Sequence, residues 1–256
     1  MVRNAKARTS RPLRIVLSDE TYIRVREMLL THEIAPGESI NIDALARELD
    51  VSQTPVREAL ARLESDDLVV KEPLRGYQAT ALLGASELQD LFQFRGIIEP
   101  WAAMTAARKI TDDGRALLAA ELATGKGAQA FDIEHSYEAM SEHDARFHVL
   151  VAQLSGSEFV REAYVRTHCH LHLFRLYTVL KTRQGEDRKN DAAAISQLFE
   201  MYYHPNSGFL AFTEHQGIAA AISSGDEESA SALMLEHIRS SLERFGPTMS
   251  IIEENQ

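Results

Sequence analysis

From residue 81 onward, apolar residues recur three and four positions apart in one segment after another, which is the spacing of helices that bury a single face. Ser86 with Gln89 forms a capping-box pattern at the start of the first segment. The spacing predicts helices near residues 86–108, 112–123, 130–154, 157–183, 207–223 and 227–245. The stretch 184–206 starts as a polar loop and is compatible with one short helix at 191–203. We therefore expect residues 81–256 to form an all-α helical bundle.

The first 80 residues change character more quickly. "LSDETYIRVREMLLTHEI" predicts a helix with Ser18 as its N-cap, and a Pro-Gly turn pair follows it. "NIDALARELD" and "QTPVREALARLESDD" predict two short helices with a tight connection, and Pro55 fits only the first turn of the second. "LVVKEPLRGYQAT" predicts two short strands around a loop near residues 73–76. The predicted fold is therefore mainly α, with a winged helix-turn-helix over residues 1–80 before the helical bundle.

The third predicted helix presents polar side chains in its first turns, where a helix in the DNA major groove meets base edges. Arg57 can bond a guanine through two hydrogen bonds, and Gln53 can do the same to an adenine. Gly76 would let the backbone of the wing approach the minor groove closely. Short helices with arginines are also common in proteins that never touch DNA. The predicted DNA-contacting residues are Gln53, Thr54, Arg57 and Gly76, with Arg47, Arg62 and Arg75 for the phosphates.

The net charge of -11 would by itself argue against a nucleic-acid partner. Its distribution weakens that objection, because residues 1–80 hold 12 Lys and Arg against 13 Asp and Glu, whereas the remaining residues hold 15 against 25. The first 18 residues carry five basic side chains and no acidic one. The charge pattern is thus compatible with an N-terminal surface for nucleic acid.

Two absences narrow the expected cellular setting. No apolar run approaches the roughly 18 residues of a membrane-spanning helix, and the basic N-terminus lacks the apolar segment of a secretory signal. The single Cys169 cannot form an internal disulfide, so nothing indicates an oxidising compartment. We predict a cytoplasmic protein with no membrane partner.

A carboxylate and an imidazole interrupt an apolar stripe in the segment "SEHDARFHVL". Asp144 and His148 are four residues apart and share one helical face, where a carboxylate is costly to bury unless something pairs with it. His215 and His237 lie on the apolar stripes of the last two predicted helices, and an antiparallel pair would bring them to comparable heights. One carboxylate and three imidazoles suit a divalent metal such as zinc, nickel or manganese. The alternative at each histidine is a hydrogen-bonded core residue.

Other polar residues have weaker patterns. Arg95 lies on an inward stripe and needs an anion, which is either Glu99 one turn further on or the carboxylate of a bound ligand. His168 and His172 are also four apart, a spacing that suits a metal, but we interpret them as effector contacts, with His172 as the effector-binding candidate. The histidines without a partner pattern are interpreted as surface or loop residues: His32, His135, His143 and His204.

Three N-terminal stretches, "IAPGESI", "LARELDVSQTPVREALARLESDDLV" and "RGYQAT", closely resemble the DNA-binding domain of the GntR family of bacterial transcription regulators. The resemblance covers residues 18–80 in unbroken order. Gln53 stands where some relatives carry an arginine, which affects the expected operator sequence. The pair Asp66-Asp67 replaces the Asp-Gly that is frequent in relatives.

The helical part resembles the FCD-type effector domain of the FadR-like branch of that family, through "LFQFRGIIEPWAAMTAA", "DARFHVLVAQLSGSEFV" and "EHQGIAAAISSGDEESASALMLEHI". Many FCD domains hold a metal on one Asp and three His, and those positions match Asp144, His148, His215 and His237. FCD relatives commonly sense small organic acids, and Arg95 stands at a position of the FCD pattern that fits binding of such a ligand. The resemblance, weaker over 165–210, implies a homodimer on a palindromic operator, more often a repressor than an activator, and not an enzyme.

Two other classes of protein share parts of this pattern. An Asp and three His also form a ligand set for metalloenzymes, but no nucleophile or general-base motif stands beside them and an N-terminal DNA-binding domain would have no use there. A helical scaffold with a structural metal would show neither turnover nor DNA binding. A metabolite-responsive DNA-binding regulator is the prediction that accounts for both parts of the chain.

Overall fold

The computed structural model describes residues 11–73, 75–128, 133–182 and 210–253. The chain divides into two compact units, Met1–Leu82 and Leu83–Gln256. Within the described residues, no helix combines the length and apolarity needed to cross a membrane. The helix expected at 191–203 lies outside the described residues.

The first unit is a three-helix domain with a small antiparallel sheet, as the winged helix-turn-helix prediction requires. Its core is formed mainly by apolar residues of the first and third helices, which pack against each other. The sheet has the order β1-β3-β2, with Val69 opposite Ala79. Strand β1 was not predicted, because two residues are too few to show alternation. The elements are α1 (Arg11–Leu30), β1 (Ser39–Ile40), α2 (Ile42–Glu48), α3 (Gln53–Ser65), β2 (Val69–Glu72) and β3 (Gly76–Ala79).

Capping corrects two expected helix starts. Helix α1 begins at Arg11, so Ser18 lies buried inside the helix and is not its N-cap. In the second unit, the first helix, α4 (Ala85–Lys109), begins at Ala85, and the Glu87 carboxylate accepts a hydrogen bond from the Gly84 N–H at 2.8 Å. The capping box predicted from Ser86 and Gln89 is therefore wrong by two residues.

The described part of the second unit is all helical, as expected. Its helices are α4 (Ala85–Lys109), α5 (Asp112–Ala128), α6 (Ile133–Leu154), α7 (Glu158–Val165), α8 (Cys169–Thr182), α9 (Leu210–Ser224) and α10 (Glu227–Glu253). Helix α4 packs along α10 and also contacts α6 and α9, while α5 packs on α6 and α9 on α10. Four of these helices surround the polar residues that the sequence places on apolar stripes.

The helix predicted over 157–183 is broken into α7 and α8. Thr167 causes a local competition for hydrogen bonds, because its hydroxyl donates to the Tyr164 carbonyl at 2.7 Å and accepts from the Cys169 N–H at 3.4 Å. His168 then adopts a left-handed backbone with φ of 44°. A continuous helix was expected because the apolar spacing hardly changes across the break.

Candidate metal centre and nucleic-acid interface

Four side chains from three helices converge in the second unit. Asp144 and His148 come from α6, His215 from α9 and His237 from α10; all four are buried, and one ligand atom from each lies within 4.8 Å of the others. The Nε2 atoms of His148 and His237 are 3.1 Å apart, and His215 Nε2 is 3.1 Å from Asp144 Oδ1. The structure thus brings together the four residues predicted as metal ligands.

The outer nitrogen of each ligand histidine faces an acceptor. His148 Nδ1 is hydrogen-bonded to Glu99 Oε2, and His237 Nδ1 lies 2.7 Å from Glu214 Oε2. His215 Nδ1 lies 3.1 Å from His143 Nε2. This network places the ring proton on Nδ1 and leaves the Nε2 lone pairs pointing inward, as a metal site requires.

The electrostatics keep the group in its ligand form. Burial lowers the pKa of His148 to about 4, despite the nearby Glu99 carboxylate, and burial also holds the pKa of His215 well below its usual range. Burial alone would raise the pKa of Asp144, but the imidazole of His170, hydrogen-bonded to the other carboxylate oxygen, lowers it well below the ordinary value. Near neutral pH Asp144 is therefore an ionised carboxylate, and His148 and His215 are neutral imidazoles.

These residues fit a divalent cation. Asp144 Oδ1 and His215 Nε2 are buried and 3.1 Å apart, yet neither forms a hydrogen bond with acceptable geometry within the described residues. Two buried acceptors that face each other are unfavourable unless a cation lies between them. Nitrogen and carboxylate donors are the ligands preferred by zinc and similar ions.

Arg95 reaches the same centre from α4. Its Nε donates to Glu99 Oε1 at 2.5 Å, and its Nη2 lies 3.5 Å from His148 Nε2. Burial alone would raise the pKa of Glu99, but Arg95 and His148 lower it well below the ordinary value. Of the two anions considered for Arg95, Glu99 is present in the structure. A role for Arg95 toward an effector stays a prediction.

Helix α8 contributes a contact that the sequence did not reveal. His170 Nδ1 lies 2.7 Å from Asp144 Oδ2, and the Tyr164 hydroxyl lies 2.6 Å from His170 Nε2. Cys169 Sγ accepts from Arg95 Nη1 at 3.3 Å, and burial raises the pKa of this thiol to about 11. His172 is buried in the same helix, whereas His168 lies in the break before it. His170, between the two predicted contacts, is thus the histidine of α8 that meets Asp144.

The interpretation of His143 as a surface or loop residue is wrong. It is fully buried on α6, with Nδ1 2.8 Å from Glu121 Oε1. Its position between Met140 and Phe147 on the apolar stripe was a usable signal. His32 is half-buried in the turn after α1, while the side chains of His135 and His204 lie outside the described residues.

The residues predicted for DNA occupy α2, α3 and the wing of the first unit. Gln53, Thr54 and Arg57 are exposed at the start of α3, where Arg57 Nη2 bonds Gln53 Oε1 at 3.3 Å. Arg75 is exposed at the loop between β2 and β3, and Gly76 has a φ of 91° that favours glycine. Arg47 is exposed on α2, where its Nε bonds the Asp43 carbonyl.

Arg62 differs from the other arginines of this surface. Its Nη1 donates to Asp19 Oδ1 at 2.6 Å, and its guanidinium lies 4.0 Å from the ring centre of Tyr22. These contacts tie α3 to α1. A phosphate would have to compete with Asp19 for this side chain.

Comparison with known proteins agrees with both units. The family model "Bacterial regulatory proteins, gntR family" matches residues 17–78, and the FCD domain model matches residues 90–240. The winged helix-turn-helix with a helical C-terminal domain defines a bacterial DNA-binding transcription regulator. The chain belongs to the gntR family and carries an FCD domain.

Individual relatives are regulators as well. The Nta operon transcriptional regulator of Aminobacter aminovorans is 34% identical over 131 residues, which cover 51% of this chain and 60% of that protein. LutR of Bacillus subtilis is 26% identical, with 82% of this chain and 93% of LutR covered. The repressor GlaR of Escherichia coli is 23% identical, with 87% and 93% covered.

Two solved structures share the fold. Escherichia coli McbR/YncC has a TM-score of 0.61 at 18% identity, with 93% of this chain and 98% of that chain covered. A putative GntR regulator from Rhodococcus sp. RHA1 has a TM-score of 0.59 at 20% identity, with 88% and 95% covered.

Proposed function

We propose that this chain is a cytoplasmic, homodimeric repressor whose helical unit binds a divalent metal and a small carboxylate effector. The main observation that supports metal binding is the buried group of one carboxylate and three imidazoles, whose ligand atoms lie within 4.8 Å of one another. It lies in the FCD unit of a regulator whose other unit is a winged helix-turn-helix. Repression is supported by the similarity to GlaR, which is a transcriptional repressor.

Asp144, His148, His215 and His237 would hold the metal, which is zinc, nickel or manganese by donor type. When bound, the ion supplies a Lewis-acidic anchor for an anionic ligand. Arg95 Nη2 borders the ligand atoms at 3.5 Å from His148 Nε2, which supports a role for this guanidinium in holding the effector carboxylate. His172, buried in α8, is the second proposed effector contact.

We call the first unit, Met1–Leu82, the DNA head. Its α3 would place its exposed face in the major groove of the DNA, and its wing, the β2–β3 hairpin, would follow the phosphate backbone. A two-fold dimer would match the two halves of a palindromic operator. The effector regulates only if it binds one arrangement of the two heads better than the other.

Metal analysis tests the first part of the proposal. Purified protein loaded with zinc and freed of excess should hold about one ion per chain, as one four-ligand group predicts. His215→Ala and His237→Ala should each lower that content sharply and lower the melting temperature of the loaded protein. His32→Ala, a histidine of the other unit, is the matched control. Wild type that retains no zinc, nickel or manganese contradicts the metal assignment.

A DNA assay tests the second part. In a gel-shift assay the protein should retard DNA from upstream of its own gene. A thermal-shift screen of carboxylic acids and sugar acids on the metal-loaded protein should reveal the effector class. A ligand that binds the folded state raises its stability by mass action. A turnover screen beside it tests the metalloenzyme alternative. Catalytic turnover without DNA binding would contradict the proposal that this chain is a regulator.

A further inference from the structure

We propose that His143 is a positioning residue of the metal centre and that Gly125 makes room for it. The inference rests on the proposed metal binding. His143 links the ligand His215 to Glu121 through a chain of two hydrogen bonds, the histidine relay His215–His143–Glu121. The relay would set how tightly the centre holds a metal.

The relay has a definite direction. His143 Nδ1 lies 2.8 Å from Glu121 Oε1, so this nitrogen carries the proton and donates it to the carboxylate. In the neutral ring His143 Nε2 is then an acceptor, and it lies 3.1 Å from His215 Nδ1. His215 Nδ1 must be the donor, which leaves its Nε2 free to bind a metal. Arg146 Nε holds Glu121 in place from 3.1 Å.

The three ligand histidines differ in this respect. His148 and His237 each meet a glutamate directly, at Glu99 and Glu214. His215 meets a second histidine instead. Without His143, its Nδ1–H would lose its acceptor in a buried place, and the proton could move to Nε2, where it blocks coordination.

Gly125 on α5 is what allows the His143 ring to lie where it does. A Cβ atom at this position would come within 2.7 Å of His143 Nδ1 and Cε1, closer than side chains approach. The ring cannot simply swing away, since it is fully buried, bonded at both nitrogens and packed 5.5 Å from the Phe212 ring centre. Glycine is otherwise less favourable than alanine inside a helix, so a steric reason for Gly125 is informative.

The main test is His143→Phe, which keeps a ring against Phe147 and Phe212 but removes both hydrogen bonds. Zinc affinity of the full chain is measured by competition with a chromophoric chelator. We expect a loss of about 10–100-fold, the usual effect of removing an outer partner of a metal-ligating histidine. The absorption spectrum of the cobalt(II)-loaded variant should also change, because the geometry of His215 changes.

Two further variants separate positioning from packing. His143→Gln offers a carbonyl oxygen to His215 and an amide N–H to Glu121, so it should recover most of the lost affinity. Gly125→Ala should weaken zinc binding although it removes no hydrogen-bonding atom, because the new Cβ would displace the His143 ring. Its matched control is Gly217→Ala on α9, where the new Cβ would meet Leu233 at an ordinary 3.8 Å and zinc affinity should stay that of wild type.

The outcomes distinguish this inference from the proposed function. If wild type binds zinc and His143→Phe binds it equally tightly, the relay is overturned while the metal site stands. If His143→Gln is as weak as His143→Phe, hydrogen bonding is not the cause and the inference is likewise overturned. Wild type that binds no zinc overturns the inference together with the metal site.

Discussion

At the scale of single residues, the charge of Glu99 is balanced by donors from two helices, Arg95 on α4 and His148 on α6. Arg95→Met removes the one cation of this group and leaves a buried carboxylate with a single donor. We expect the metal-free protein to lose about 3–5 kcal/mol of unfolding free energy, as when one partner of a buried ion pair is removed. Urea denaturation measures this loss.

The double variant Arg95→Met with Glu99→Gln is the control for that prediction. It removes the unpaired charge and keeps an acceptor for His148 Nδ1, so stability should largely return. A single variant as stable as wild type would show that the pair is not needed for folding and would favour a role confined to the effector.

Two exposed arginines of the DNA head should differ in role, with Arg57 reading bases and Arg75 binding phosphates. Arg57→Ala should weaken binding to the operator by about 1–3 kcal/mol, the value of one good base contact. Arg75→Ala, on the wing, should weaken binding to every sequence and reduce the dependence of affinity on salt. Fluorescence anisotropy over a salt series measures both. An unchanged operator affinity for Arg57→Ala would show that α3 is not the recognition helix.

At the scale of elements, the α9–α10 turn fixes how His215 and His237 approach each other. Gly225 ends α9 with a φ of 78°, and the Asp226 side chain caps α10 by accepting from the Ser229 N–H at 3.0 Å. Gly225→Ala should cost about 1–2 kcal/mol, because a Cβ is strained in the left-handed region. Gly225→Asn should cost less, since asparagine tolerates that region. Thermal melting of the two variants checks the order; equal melting temperatures would show that the turn can relax.

At the scale of the whole molecule, the buried histidines predict a pH dependence. The pKa of His148 in the folded protein is about 4, against 6.5 in an exposed histidine. Between these two pH values the unfolded chain therefore binds a proton at this residue that the folded chain does not bind. Stability of the metal-free protein should therefore fall as pH drops from 6.5 to about 4, by about 1.4 kcal/mol per pH unit for each such group.

His215, Asp144 and Glu99 do not reverse the predicted loss of stability at low pH. His215 has its pKa lowered by burial and acts in the same direction. The lowered pKa values of Asp144 and Glu99 remove further stability only below about pH 4.5, where the unfolded carboxylates begin to bind protons. Urea unfolding at a series of pH values gives the profile, and stability that stays flat between pH 6.5 and 4 would contradict it.

The amino-acid pattern was sufficient to predict a winged helix-turn-helix followed by a helical bundle, most helices of the described bundle and the four inward polar residues Asp144, His148, His215 and His237. Each of these follows from local spacing, because a helix repeats every 3.6 residues and a polar side chain on an apolar stripe points into the core. The β2–β3 hairpin and Pro55 at the start of α3 follow from equally local rules.

The contacts between groups on different helices could not be predicted before the fold was known. Glu121 reaches His143 from α5, His170 reaches Asp144 from α8, and Glu99 accepts from His148 across α4 and α6. These partners depend on the rotation and height of one helix against another, which the spacing within a single helix does not contain. The break at Thr167 is local in origin, but the apolar spacing does not reveal that the Thr167 hydroxyl bonds the Tyr164 carbonyl and the Cys169 N–H instead of leaving the helix continuous.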